Sequence, residues 1–163
     1  MFFSNSTRVK NFISVNILLG ILLASNSQNS IGLEHVVKAV GMKWKPEILV
    51  VQPGDSVKFI NMMGHDTQSM TELTPPGYIG WKSQMGDEGF TVKFEKKGVY
   101  FHKCNPHVNA GMFGAILVTT ELSLDEFDRL STKSKELGIG GPAVRKIFKR
   151  VAAKTKRTLA AIN

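Results

Sequence analysis

The sequence predicts a mainly β protein, a Greek-key β-sandwich followed by two C-terminal α-helices. Three observations predict it. Short runs with apolar residues at every second position recur between residues 33 and 120, Gly- and Pro-containing turns separate them, and after residue 120 the apolar spacing becomes helical. With 163 residues, 42% of them hydrophobic, the chain can bury one core and carry an appendage.

Taken in order, residues 1–11 hold Arg8 and Lys10 and no acid, residues 12–24 are mostly apolar, and Ala24, Ser25 and Ser27 follow as small residues. That is the pattern of a secretory signal peptide, expected over residues 1–27. The apolar run, about 13 residues long, falls short of the roughly 20 a membrane-spanning helix needs, so no stable membrane insertion is expected. An exported chain normally invites a search for disulfides, yet Cys104 is the only cysteine and cannot make an internal bridge. Metal ligation would account for a lone thiol, because a bound thiolate is protected from pairing and oxidation.

Leu33 to Val40 is strand-like, and Pro46 to Val51 leads into Pro53-Gly54-Asp55, a turn with Pro first and Gly free to take positive φ. In Ser56 to Met62, Val57 and Phe59 share one face and Lys58 the other; Phe90, Val92 and Phe94 alternate with Thr91, Lys93 and Glu95, as for a sheet with one wet face. Lys96-Lys97-Gly98 turns the chain into the strand Val99 to Cys104, and Gly114 to Thr120 closes the set. Asp66 to Gly80 has no period and holds Thr74-Pro75-Pro76-Gly77, so a surface loop is expected. Trp44 and Trp81 read as core residues, Trp44 with the option of lying near the site described below.

After residue 120, Ser123 and Glu126 form a capping box, Leu122 and Phe127 a hydrophobic staple, and Leu124, Phe127, Leu130 and Leu137 one apolar side that ends at Gly138 to Gly141. A second helix follows from Gly141-Pro142, with Val144, Ile147, Phe148 and Val151 opposed to Arg145, Lys146, Lys149, Arg150, Lys154, Lys156 and Arg157. The formal charge of +8 is placed unevenly: residues 28–120 hold 9 Lys/Arg against 8 Asp/Glu, and residues 121–163 hold 10 against 5. A helical hairpin over 121–163, docked on the sandwich by its stripe with its basic face solvated, is preferred to a nucleic-acid or membrane-surface role.

The chemistry concentrates in Cys104-Asn-Pro-His107-Val-Asn-Ala-Gly-Met112, just after a strand. Singly, Cys and Met are ordinary core residues and a histidine ordinarily meets a backbone partner. Together, at fixed offsets in one Pro- and Gly-containing loop, they can present a thiolate, an imidazole and a thioether to one point. His65, ending an earlier strand in Gly64-His65-Asp66, is the natural fourth. Soft sulfur with imidazole selects copper, and two His with one Cys and a weak axial Met is the blue-copper set. With no obvious open position for substrate, such a site points to electron transfer.

Over roughly residues 34 to 120 the chain resembles the cupredoxins, and among them the pseudoazurin group. The resemblance rests on Trp44-Lys-Pro46, Val51-Gln-Pro-Gly-Asp55, Gly64-His65, Trp81-Lys-Ser83, Gly98-Val-Tyr100 and Lys103-Cys104-x-Pro106-His107-x4-Met112. It implies that residues 28–120 are a cupredoxin domain holding one type 1 copper, with His65, Cys104 and His107 equatorial and Met112 axial. It also implies a periplasmic monomer passing single electrons between redox proteins, such as a cytochrome or a copper reductase of denitrification, through an apolar patch around His107. Lys82 and Lys103 match lysines that dock an acidic partner surface, whereas Met63 and Gln84 stand where others of the group have lysine.

Asp66 departs from the Asn usual in the group after the first histidine, and Asn105 replaces a common Thr. We expect Asn105 to donate to the Asp66 carboxylate and so link the two loops, the carboxylate charge favouring Cu(II). His102 shares parity with Tyr100 and Cys104 and is expected inside as a hydrogen-bonded core histidine; His35 has no visible partner; the other methionines are scattered, as packing residues are. A copper delivery or storage protein is the competing class, requiring exchangeable Cu(I). An enzyme fits poorly, for lack of a second cysteine or a further histidine cluster.

Overall fold

A computed structural model of the chain describes residues 31–119, 124–136, 138 and 141–160. The expected signal peptide, and Leu122 and Ser123 of the staple and capping box, lie outside the described residues. The strands are β1 (Glu34–Ala39), β2 (Trp44–Lys45), β3 (Ile48–Val51), β4 (Ser56–Ile60), β5 (Gln68–Ser69), β6 (Thr91–Lys93), β7 (Gly98–Lys103) and β8 (Phe113–Val118). Two helices follow, α1 (Leu124–Glu136) and α2 (Gly141–Ala160).

The strands form two four-stranded sheets, ordered β2-β1-β4-β6 and β3-β8-β7-β5. Because β1 runs parallel to β4 and β3 parallel to β8, the chain must cross between sheets rather than meander, which is the mainly β, Greek-key sandwich expected. Alternation sets the first sheet: Val57, Phe59, Val92 and Phe94 point into the core, while Thr91, Lys93 and Glu95 face solvent.

The second sheet has no wet face over β7 and β8. Tyr100 and Cys104 join the core between the sheets, whereas Val99 and Phe101 of the same strand pack with Leu130 of α1 and Val144, Ile147 and Phe148 of α2. The Phe101 and Phe148 rings lie 4.5 Å apart. The apolar stripe of α2 is thus the reason these strands bury both of their faces.

The segment after Asp66 differs from the expected surface loop. Gln68 and Ser69 pair with Lys103 and His102, a 3-10 turn follows over Thr71–Leu73, and Thr67, Ser69, Met70, Leu73 and Thr74 are buried. A two-residue strand is too short to show a period, so its pairing was invisible in sequence. Lys96 reaches the carbonyl of Pro76 at 2.7 Å and ties the outer part down.

At the other side of the sandwich, the turn before β4 buries a carboxylate. Asp55, 4% exposed, accepts the N–H of Leu33 (2.8 Å) and of Gln52 (2.9 Å) and meets His35 Nε2 at 2.7 Å. His35, without a visible partner in sequence, therefore has one. Burial alone would raise the Asp55 pKa, but the Gln52 amide, the His35 ring and the Leu33 amide outweigh it and hold it below the ordinary value. A depressed carboxylate stabilises the fold above the unfolded-state pKa of about 4, and loses that contribution as pH falls through the folded value. Asp55→Asn should therefore cost about 2 kcal/mol in urea unfolding at pH 7. Its deficit should shrink as pH falls below about 4 toward the depressed folded-state value, because the unfolded wild-type chain takes up the proton first; an equal deficit at both pH values would contradict this account.

Candidate metal centre

The loop from Cys104 to Met112 is closed on itself. Cys104 N–H donates to the Met112 carbonyl at 3.0 Å, and the His107 carbonyl accepts Ala110 N–H and Met112 N–H, both at 3.1 Å. Gly111, at φ +78°, makes the last bend that a side chain would strain. These bonds place Cys104 at the end of β7 and Met112 at the start of β8, on a hairpin whose strands pair along their whole length.

His65 comes from the loop after β4, held from both sides. Asn61 turns the chain at φ +59°, and the Glu88 carboxylate accepts the Asn61 N–H (2.9 Å) and the Met62 N–H (2.8 Å). His65 N–H donates to Met62 O at 2.8 Å and its carbonyl accepts Gly86 N–H at 2.9 Å. The amides of Met62 and Asn61 hold the Glu88 pKa below its ordinary value. Nothing in the sequence links Glu88 to His65, because an exposed acid carries no period and no motif.

The side chains then converge. His65 Nδ1 lies 3.6 Å and His107 Nδ1 3.3 Å from Cys104 Sγ, the rings stand 4.7 Å apart, and all three ligand atoms fall within 4.8 Å of one another. Donors bound to a common ion at about 2.0 Å (nitrogen) and about 2.3 Å (sulfur), with bond angles near 110°, stand roughly 3.5 Å apart. Both sulfur-to-nitrogen separations therefore match those of donors sharing one metal ion. Met112 is fully buried in the same cluster as Cys104, and its N–H and carbonyl tie it to His107 and Cys104.

Cys104 is wholly buried, and burial pushes its thiol pKa up, against the amides of Asp66 and His107 that bond its sulfur. His65 is shifted down by burial and then by His107, with Asp66 opposing, so it offers a neutral imidazole. Cys104 would bind a soft, thiophilic cation as its thiolate.

The expected bridge between the loops is present and has two further bonds. Asn105 Nδ2 donates to Asp66 Oδ2 at 2.6 Å and to Gln68 Oε1 at 2.9 Å, and its backbone N–H donates to Asp66 Oδ1 at 2.7 Å. Both Asp66 oxygens accept, and the side chain is buried, 5% exposed.

His102 stays out of the ligand cluster and closes the wall behind it. Trp81 Nε1 donates to Thr67 Oγ1 at 3.2 Å, and the same hydroxyl is hydrogen-bonded to His102 Nδ1, also at 3.2 Å. Burial pushes the His102 pKa down to about 3. Trp44, Phe59 and Trp81 surround this ring with centroids at 5.3, 5.3 and 6.0 Å. Trp44 also stands 6.3 Å from the His65 ring, which places it near the site as well as in the core.

Comparison with known proteins agrees with this arrangement. Residues 32–119 match the family of copper binding proteins, plastocyanin/azurin family. Pseudoazurin of Methylorubrum extorquens is 37% identical over 78 residues, covering 47% of this chain and 52% of that protein. That of Paracoccus pantotrophus is 31% identical over 78 residues, covering 47% and 53%. The chain spans about half the length of these curated relatives. A solved pseudoazurin from Sinorhizobium meliltoi superposes with a TM-score of 0.52 at 35% identity, covering 57% of this chain and 79% of that one. The refined crystal structure of pseudoazurin from Methylobacterium extorquens gives 0.52 at 34%, covering 57% and 81%.

The wall behind the site has no slack. A Cβ on Gly114 would lie 2.2 Å from His102 Nε2, and the enclosed ring has nowhere to move. Gly114→Ala should cost about 2–3 kcal/mol in denaturant unfolding; a variant within about 0.5 kcal/mol of wild type would show that the His102 cage is loose.

Proposed function

The chain belongs to the plastocyanin/azurin family of copper-binding proteins, as a pseudoazurin-like cupredoxin, and from that premise we propose that it is a single-electron carrier rather than an enzyme. The observation that carries this reading is the convergence of His65 Nδ1, His107 Nδ1 and Cys104 Sγ on one point. His65, Cys104 and His107 would hold the copper and Met112 would supply a weak thioether. Copper so held supplies a Cu(II)/Cu(I) couple.

The protein's part is to keep the ligands still and the water out. The hydrogen-bonded loop 104–112, the Glu88 clamp and the Asp66–Asn105 bridge fix the donor atoms from three directions, so little reorganisation need accompany each electron. Cys104 and Met112 are fully buried, while His107 and Val108 are half-buried and Pro106 is exposed in one turn. This supports His107 as the edge through which electrons enter and leave.

Residues 1–27 are read as a cleaved leader that delivers the carrier to the periplasm, 28–120 as the copper domain and 121–163 as its docked helical hairpin. Its partners are redox proteins presenting acidic surfaces, a cytochrome or a copper reductase of denitrification. Among the described residues no helix is long and apolar enough to cross a membrane.

Residues 28–163 loaded with Cu(II) should show an intense thiolate-to-copper absorption that survives dialysis, cycles with reductant and is absent in Cys104→Ala. Colourless protein that binds only Cu(I) and yields it readily to a chelator would replace the carrier reading with copper delivery. Asp66→Asn, which removes a buried negative charge beside the site, should raise the reduction potential. The effect is about 2–4 kcal/mol for charges roughly 4–8 Å apart at an effective dielectric near 20, and an unchanged potential would sink the charge argument.

A further inference from the structure

A second concave site lies beside the metal loop and is built from the C-terminal appendage. Lys43, Trp44, Lys45 and Glu47 form one wall, Ala110 and Gly111 of the metal loop the floor, and Lys146 and Arg150 of α2 the far wall, around a cavity of about 460 Å³. The arrangement follows from packing. Val144, Ile147 and Phe148 turn into the core under β7 and β8, so Lys146 and Arg150, one helical turn apart, are carried together along the outer face toward β2.

The charge in this cleft is unbalanced. Glu47 pairs with Arg150 and holds its guanidinium in place, but Lys43, Lys45 and Lys146 make no ion pair among the described residues. Arg145 and Lys149, with Lys146, line an adjoining depression of about 320 Å³. Three unpaired ammonium groups and one positioned guanidinium around a cavity of small-molecule size match a compact ligand with several oxyanion oxygens.

We propose that this cleft binds a small polyvalent oxyanion of the oligophosphate class, and that binding there is coupled to the redox state of the metal. Trp44 lines the cleft and its ring stands 6.3 Å from that of His65, so the bound anion sits one side chain away from the metal site. Its negative charge favours the more positive oxidation state and lowers the potential. By reciprocity, reduction weakens the anion's hold. The coupling rests on the copper reading of the previous subsection; the binding itself needs only the fold.

The full chain, copper-loaded and copper-free, is titrated with sodium tripolyphosphate by calorimetry, and the loaded protein is followed by voltammetry. Saturable one-to-one binding is expected in both samples, about tenfold weaker in Lys146→Ala and in Lys43→Ala. It should be unchanged in Lys93→Ala, whose ammonium pairs with Glu95 at 2.6 Å on β6, the edge of its sheet opposite β2. Tripolyphosphate should lower the potential of wild type and leave that of Lys43→Ala/Lys146→Ala nearly unmoved at the same concentration.

Non-saturable binding, or equal affinity in all variants, overturns the site. Tighter, variant-sensitive binding of a hexaglutamate peptide overturns it in favour of an acidic protein partner, and of phosphatidylglycerol vesicles in favour of a lipid surface. Saturable binding with an unmoved potential overturns the coupling. A colourless copper-treated sample speaks against the carrier reading alone, since the copper-free titration judges the cleft independently.

Discussion

The Asp66 carboxylate joins two loops that lie 39 residues apart in sequence, and the metal site depends on that junction. One loop brings His65 and the other Cys104, His107 and Met112; neither has the whole proposed ligand set alone. A side-chain amide bond by itself would let the loops hinge about one contact. Here the Asn105 backbone amide takes one oxygen and its side chain the other, so relative rotation breaks at least one charge-assisted bond. Gln68 extends the same lock to β5, whose pairing with β7 in turn fixes the direction in which Cys104 leaves the sheet.

Such a junction has an electrostatic consequence that packing alone would not have. A carboxylate removed from water without compensation would be protonated or expelled. Asp66 is compensated by neutral N–H donors rather than by a cation, so its negative charge is stabilised but not cancelled. The group that holds the site rigid would thus also bias a bound copper toward its higher oxidation state. Behind it, His102 plays the opposite part. Enclosed by three aromatic rings and bonded to Thr67, it is kept neutral, so the core beneath the metal contributes shape and polarity without charge.

Sequence made the local parts of this design legible and concealed the non-local ones. The strands β4 and β6 announced themselves by period, and the spacing Cys104, His107, Met112 announced the loop, because both depend on residues near one another in the chain. His65 followed from its place at a strand end, and the Asp66–Asn105 bridge from two residue types that complement each other. The partners that escaped notice all act across distance. Glu88 clamps a backbone 26 residues away, Asp55 meets His35 20 residues away, and Thr67 and Trp81 build the cage of His102 from a segment whose two-residue strand leaves no pattern. Trp44 shows the same limit: its burial was readable, its closeness to His65 was not.

The helices answer a question the sandwich poses. The second sheet is apolar on both faces, and without a cover Val99, Phe101, Phe113 and Leu117 would present a hydrophobic surface to water. The α2 stripe covers it, and an amphipathic helix that buries one stripe must send its charges elsewhere. Because Phe148 fixes the helix rotation by stacking near Phe101, those charges are not free to distribute themselves. Lys146 and Arg150 are delivered to the flank where β2 and the end of the metal loop already lie, and Glu47 holds Arg150 there. The positive charge that the sequence concentrates after residue 120 is therefore brought, by the packing of an apolar face on the far side of the sheet, to within one side chain of the ligand His65.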